Sequence, residues 1–227
     1  MKKVVVFTGA GISAESGINT FRDSGGLWEN VDVNEVATPA GWRKNPLRVL
    51  DFYNDRRKQV LEAKPNKAHI ALADLQKKFE VFVITQNIDN LHERAGSKHV
   101  LHLHGEVTKS RSSLDPELVY DIKSGRIELG EKCTRGSQLR PHIVWFGEEV
   151  PNMVRAYELT SCADVFIVIG TSLNVYPAAG LLDYAPAEIP KYLIDPAVDG
   201  ADHVKNLKVI KEKAGKGVPD LVKVLLG

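Results

Sequence analysis

Val4-Val5-Val6-Phe7-Thr8-Gly9-Ala10-Gly11-Ile12-Ser13-Ala14 is the stretch that decides how this 227-residue chain is read. Four consecutive apolar residues, three of them β-branched, suit a strand buried on both faces, as in a parallel sheet. The strand runs straight into a glycine turn that opens a helix. Glycines at that place let backbone N–H groups approach a pyrophosphate, whose charge a helix amino terminus favours. The string fits the G-x-G-x-x-A form of the dinucleotide fingerprint, although a glycine turn after a strand is as readily a purely structural feature. Hydride-transferring enzymes need a second strand ending in an acidic residue about 20 positions on, to hold the adenosine ribose. Here that region is Gly25-Gly26-Leu27-Trp28-Glu29-Asn30, which is no strand. The residues alone therefore indicate a nucleotide-binding α/β protein with an unusual first crossover.

Working outward, residues 81–85 and 165–169 repeat the pattern of an apolar run followed by small or polar residues, and 191–194 and 207–210 are shorter candidates. Helical patterns fall between them at 66–79 and at 218–226. The alternation predicts an α/β fold with a Rossmann-like, mainly parallel sheet, and a site at the carboxyl ends of its strands. Two stretches break the alternation. Residues 24–62 hold a loop rich in Gly, Pro and Trp and then a helix from about Pro46; residues 106–139 are polar and turn-rich. Both are expected to be insertions building a smaller module. The single catalytic domain 1–227 would then divide into a large part (1–23, 63–105 and 140–227) and a small part (24–62 and 106–139).

The formal net charge is +1, with 43% hydrophobic and 26% charged residues, so bulk electrostatics favour neither nucleic acid nor a membrane surface as partner. No run approaches the roughly 18 apolar residues of a membrane span. The apolar run after Met1-Lys2-Lys3 is too short for a signal-peptide core. The two cysteines, Cys133 and Cys162, lack metal-site spacing and are too few for a disulfide framework, which suits a cytoplasmic protein with free thiols.

Five blocks together resemble the sirtuin family. They are Gly9 to Ile18 continuing to Phe21-Arg22, Thr85-Gln86-Asn87-Ile88-Asp89-Asn90-Leu91-His92, His102-Leu103-His104-Gly105, Leu139-Arg140-Pro141-His142-Ile143-Val144-Trp145-Phe146-Gly147-Glu148, and Gly170-Thr171-Ser172. Their order and spacing are family-like over nearly the whole chain. The resemblance implies an NAD-consuming removal of acyl groups from lysine, in which nicotinamide leaves and the acyl group passes to ADP-ribose. It implies acylated lysine proteins or peptides as partners and, as the family default, a monomer.

By the same resemblance His104 is the expected base, a role suited to an imidazole of ordinary pKa near 6.5. Asn87 shares the catalytic role, and with Gln86, Ile88 and Asp89 surrounds the ribose and nicotinamide. Gly9, Ala10, Gly11, Ile12 and Ser13 form the cofactor loop, with Phe21 and Arg22 covering it. Gly170, Thr171 and Ser172 match the adenosine side. Val144, Trp145, Phe146, Gly147 and Glu148 match the segment that pairs with an extended substrate peptide by strand addition. Tyr53 and Arg56, three apart on one helix face, match the pair marking sirtuins that act on succinyl- and malonyl-lysine, a guanidinium being suited to grip a carboxylate bidentately. Ala37 matches a small residue that leaves the acyl pocket roomy.

Two departures from the family pattern stand out. Most sirtuins bind structural zinc through two Cys-x-x-Cys pairs, but the first pair falls here near Ser112 and Asp115 and only Cys133 remains of the second. No zinc is expected, nor any other metal. In Tyr192-Leu193-Ile194-Asp195-Pro196, Asp195 stands where an Asn is usual, and Ala197 where an acidic residue is usual. Asp195 is still expected to reach the adenosine ribose, and Ala214 the adenine. Two alternatives stay open: a mono-ADP-ribosyltransferase acting on proteins, and a non-catalytic NAD-binding regulator.

Overall fold

The computed structural model describes residues 1–20, 31–171, 178–197 and 204–227. Phe21, Arg22 and Ser172 lie outside them. In chain order the elements are β1 (Lys3–Thr8), α1 (Gly11–Ala14), α2 (Val33–Val36), α3 (Pro39–Lys44), α4 (Pro46–Glu62), α5 (Lys67–Leu75), β2 (Glu80–Thr85), α6 (Leu91–Arg94) and β3 (Val100–His102). There follow β4 (Gly105–Ser112), β5 (Val119–Asp121), β6 (Leu139–Ile143), α7 (Met153–Ser161), β7 (Val165–Ile169), α8 (Leu181–Tyr184), β8 (Lys191–Ile194), β9 (Leu207–Ile210) and α9 (Ala214–Leu226).

Six strands form a parallel sheet in the order β3-β2-β1-β7-β8-β9. Side chains alternate along β1, yet both faces are buried. Val4 and Val6 join Leu72 and Leu75 of α5 and Val218, Leu221 and Val222 of α9 on one face. Val5 and Phe7 join Phe166 and Val168 of β7, Met153 and Ala156 of α7, and Leu181 of α8 on the other. Thus the fold is the expected α/β, Rossmann-like one. The chain builds outward from β1 through β2 to β3 on one side, and from β7 through β8 to β9 on the other. This places the reversal of strand order between β1 and β7, where such sheets open a crevice at their carboxyl ends.

The small module has its own antiparallel sheet, β5-β4-β6, with a register shift between Glu106 and Ser110. Gly105 starts β4 at φ +82, and a Cβ there would lie 2.0 Å from the His142 carbonyl, so this sharp entry needs glycine. Helix α4 begins where Asn45 accepts the Arg48 N–H and Pro46 takes the first helical position. Among the described residues no helix is long and apolar enough to cross a membrane.

Candidate active site

The ends of β1, β2 and β7 meet in register, Thr8 standing opposite both Thr85 and Ile169. Beyond them Gly9 and Gly11 pack against Gly170. A Cβ on Gly11 would approach Gly170 Cα to 2.6 Å, and one on Gly170, itself at φ +60, would approach the Ile12 nitrogen to 2.4 Å. The N–H groups of Gly9 and Gly11 donate to the Ile169 and Gly170 carbonyls. These two glycines thus let the loops cross; their own N–H groups are committed to that crossing rather than to an anion.

Around the crossing lies a buried polar cluster. Ser13 Oγ donates to Asp89 Oδ2 at 3.0 Å, while Asn87 Nδ2 donates to the Gly9 carbonyl at 3.1 Å and contacts Ser13 Oγ at 3.2 Å. Asp89 also accepts the Leu91 N–H. Burial raises the Asp89 pKa, against the opposing hydrogen bonds from Leu91 and Ser13. Thr171 Oγ1 donates to Gln86 Oε1, linking the β7 and β2 ends. Ile88 contributes its carbonyl, which accepts the Val107 N–H.

Beneath this cluster lie groups that the sequence reading missed. Thr8 Oγ1 donates to Thr85 Oγ1 at 2.8 Å and contacts His92 Nε2 at 3.1 Å, and Thr85 Oγ1 accepts the Asn87 N–H. Burial, then the charges of His69 and His102, keep the His92 pKa well below its ordinary value. A polar residue ending each of two otherwise apolar strands was the available signal.

His104 is half-buried, and its Nδ1 lies 3.1 Å from the Gln86 carbonyl. A carbonyl only accepts, so the neutral ring carries its proton on Nδ1 and keeps a lone pair on Nε2. Burial lowers its pKa below 6.5, the Gln86 carbonyl opposing. His102 differs. Both its nitrogens meet acceptors, the Asn87 carbonyl and Glu93 Oε1. Burial would lower its pKa, but the Glu93 hydrogen bond and charge raise it overall. Both His102 nitrogens are thus committed, whereas His104 keeps an Nε2 lone pair.

The segment after β6 is tied down by its backbone N–H groups. Val144 N–H donates to the His104 carbonyl and Phe146 N–H to the Ala37 carbonyl. The Trp145 N–H donates to Glu148 Oε2 at 2.8 Å. These three N–H groups therefore are not the donors for an added strand. Glu148 turns its carboxylate onto Arg140 (2.7 Å) and Arg111 (3.1 Å). Both arginines are largely buried and need a counter-charge. Arg140 lies 3.2 Å above the Trp145 ring. Gly147 turns the chain at φ +87, and Phe146 is 48% exposed.

Tyr53, Ala37 and Trp145 share one apolar cluster with Ile18 and Leu91. Burial raises the Tyr53 phenol pKa, the neighbouring Trp145 indole and the charge of Arg140 opposing. Arg56 is 5% exposed; Nη1 donates to Gln59 Oε1 at 2.7 Å and Nη2 to the Asn19 carbonyl at 3.5 Å. Burial lowers its pKa, partly offset by the charge of Asp89. On the adenosine side Asp195 Oδ1 accepts the Ala197 N–H. Ala214 opens α9, where Glu15 accepts the Gly215 N–H at 2.6 Å, a tie not anticipated from sequence.

Where zinc cysteines would stand, Ser112 Oγ and Cys133 Sγ both bond Ser137 Oγ, and Asp115 pairs with Arg135. One thiol among hydroxyls does not fit a tetrahedral zinc donor set. Among the described residues no group of three or more His, Cys, Asp or Glu could hold a metal ion.

Residues 9–177 match the model of the Sir2 family. The chain is 53% identical over 231 residues to an NAD-dependent protein deacylase of Bacteroides thetaiotaomicron, with 100% of this chain and 99% of that one covered. It superposes on a Sir2 homologue in complex with NAD at a TM-score of 0.89 and 39% identity, covering 99% of this chain and 90% of that one. A mutant Sir2 homologue in complex with 2′-O-acetyl-ADP-ribose gives a TM-score of 0.89 at 38% identity, covering 99% and 92%. A family match over most of the chain, a relative alike along its full length and a shared fold lead to one conclusion: this chain belongs to the Sir2 family, the sirtuins.

Proposed function

We propose that this sirtuin is an NAD-dependent protein-lysine deacylase whose pocket takes succinyl and malonyl groups as well as acetyl. The NAD and acyl-ADP-ribose complexes of its structural neighbours, and the deacylase named among its relatives, support the reaction class. The crossing of Gly9, Gly11 and Gly170 brings the β1 and β7 loops into backbone contact at the carboxyl ends of the strands, the place where such sheets take a dinucleotide. NAD, when bound, supplies an electrophilic ribose carbon, nicotinamide as leaving group, and the hydroxyl that receives the acyl group. Asn87, Ser13 and Asp89 orient the ribose end, with Gln86 and Thr171 alongside. His104 accepts the hydroxyl proton at Nε2, its tautomer set by the Gln86 carbonyl. The residues 24–62 and 106–139 act as one module that holds the acyl-lysine against the sheet. Its substrates are proteins or peptides rather than nucleic acid or membrane, in keeping with a net charge of +1.

One observation carries the acidic-acyl reading. Arg56 is buried, and its hydrogen bonds among the described residues go only to neutral acceptors. A buried cation with no carboxylate among these hydrogen-bond partners is costly; the charge of Asp89 offsets its burial only in part, and an acyl carboxylate beside it relieves the rest. The Tyr53 phenol, kept protonated by burial, adds a donor from the preceding turn, and Ala37 leaves room. The test compares kcat/KM on succinyl- and acetyl-lysine peptides for wild type and Arg56→Met. The succinyl reaction should lose ~1.5–3 kcal/mol of transition-state stabilisation and the acetyl reaction little. Equal losses on both would refute a carboxylate-reading role.

A further inference from the structure

Helix α4 carries a second pair of side chains at the spacing of the first. Asn54 and Arg57 each follow one position after Tyr53 and Arg56, so the two pairs lie on neighbouring strips of the helix, about 100° apart. Asn54 Nδ2 donates to the Ile127 carbonyl at 3.0 Å, and Oδ1 accepts the Ile127 N–H at 2.9 Å. The amide thus imitates a neighbouring strand. Arg57 Nη1 donates to the same Oδ1 at 2.6 Å, and Nε donates to the Val107 carbonyl at 2.7 Å. Val107 in turn donates its N–H to the Ile88 carbonyl, between Asn87 and Asp89. A continuous run of bonds therefore joins Ile127, Asn54, Arg57, Val107 and Ile88, alongside the Tyr53/Arg56 strip.

This junction is an expensive way to pack a helix. Arg57 is 1% exposed, its Nη2 has no hydrogen-bond partner among the described residues, and both of its partners are neutral oxygens. Apolar residues of similar volume would fill such a contact at lower cost. Packing alone does not account for it. What directional bonds add is a fixed rotation and height of α4 against backbone points in the small module and next to the β2 end. A guanidinium meeting a carboxylate is sensitive to that setting, because hydrogen bonds weaken steeply as their angle closes. An acetyl methyl group makes only dispersion contacts and tolerates small displacements.

We propose that Asn54 and Arg57 are positioning residues for acyl selection, holding Arg56 at the angle and depth at which it meets the acyl carboxylate. The inference rests on the reading of Arg56 given above. Asn54→Ala and Arg57→Lys should each raise KM for a succinyl-lysine peptide by about tenfold. Their kcat, and their KM for acetyl-lysine peptide and for NAD, should stay within about twofold of wild type. Added to Arg56→Met, neither change should alter the succinyl-to-acetyl ratio further, since the two sites act on one interaction. A purely structural role would lower both activities together.

A measurement on the wild type stands apart from how the variants fold. Without NAD, so that no turnover occurs, saturating succinyl-lysine peptide should slow hydrogen exchange of the Ile127 amide more than acetyl-lysine peptide does, because coupling is reciprocal. If wild type fails to process the succinyl peptide, the reading of Arg56 falls. If wild type processes it and Arg56→Met discriminates, the reading stands. In that case equal losses in the Asn54 and Arg57 variants, or Ile127 exchange indifferent to the acyl group, would overturn the positioning proposal alone.

Discussion

The His104 imidazole, proposed as the base, has its tautomer fixed by a single hydrogen bond. Gln86 presents only a carbonyl to Nδ1, so Nε2 is left to take a proton. Burial sets the pKa below the ordinary 6.5, and a base works while neutral. The acid limb of the kcat/KM profile should therefore lie below pH 6.5, with activity held through neutral pH; a limb above pH 6.5 would argue for another base. His104→Ala should abolish turnover while leaving the melting temperature near that of wild type, measured on the same preparation. Asn87 and Asp89, singled out by the family resemblance, lie in a buried polar cluster with Ser13 just past the end of β2. The Thr8–Thr85–His92 cluster beneath was not legible in the sequence, since its meaning lies in contacts between residues more than 70 positions apart.

At the scale of elements, the segment from Val144 to Glu148 depends on a clamp of charges. Burial would raise the Glu148 pKa, but the Arg140 hydrogen bond, the Trp145 N–H and the two guanidinium charges pull it below 4.5. A carboxylate depressed in this way contributes stability that is present above its unfolded pKa and lost as pH falls through the folded one. Glu148→Gln should cost about 3 kcal/mol near neutral pH, by leaving Arg140 and Arg111 unpaired, and should flatten the acid side of the stability profile measured by urea unfolding. An acid limb as steep as that of wild type would place the titration elsewhere. Strands β1, β2, β7, β8 and β9 were readable as apolar runs because both faces of the sheet are covered. The antiparallel strands β4 to β6 were hidden, being short, mixed in polarity and divided by turns. Helix α9 begins at Ala214, before the expected 218, because Glu15 pins the weakly helical Gly215 from 200 positions away.

For the whole molecule, the question is what keeps the small module in place over the sheet. Its apolar centre is small, formed by Leu50, Ile127, Cys133 and Leu139. Hydroxyl, thiol and ion-pair contacts join Ser112, Ser137, Cys133, Asp115 and Arg135 around it. Treatment with a strong chelator should leave both melting temperature and deacylase activity unchanged; a fall in either, restored by zinc, would contradict this. The α/β plan was legible in the sequence, since it follows from the alternation of apolar runs and helical patterns, and the same reading directs attention to the carboxyl ends of the strands as the candidate site. How the module is held was not legible, because it depends on side chains that meet only after folding. The account as a whole is tested most directly by the stoichiometry of one reaction. The purified protein is incubated with NAD and a succinyl-lysine peptide, and all products are weighed by mass spectrometry. One nicotinamide and one succinyl-ADP-ribose should form for each lysine freed. Lysine released without nicotinamide, ADP-ribose attached to protein instead, or NAD left intact would contradict it.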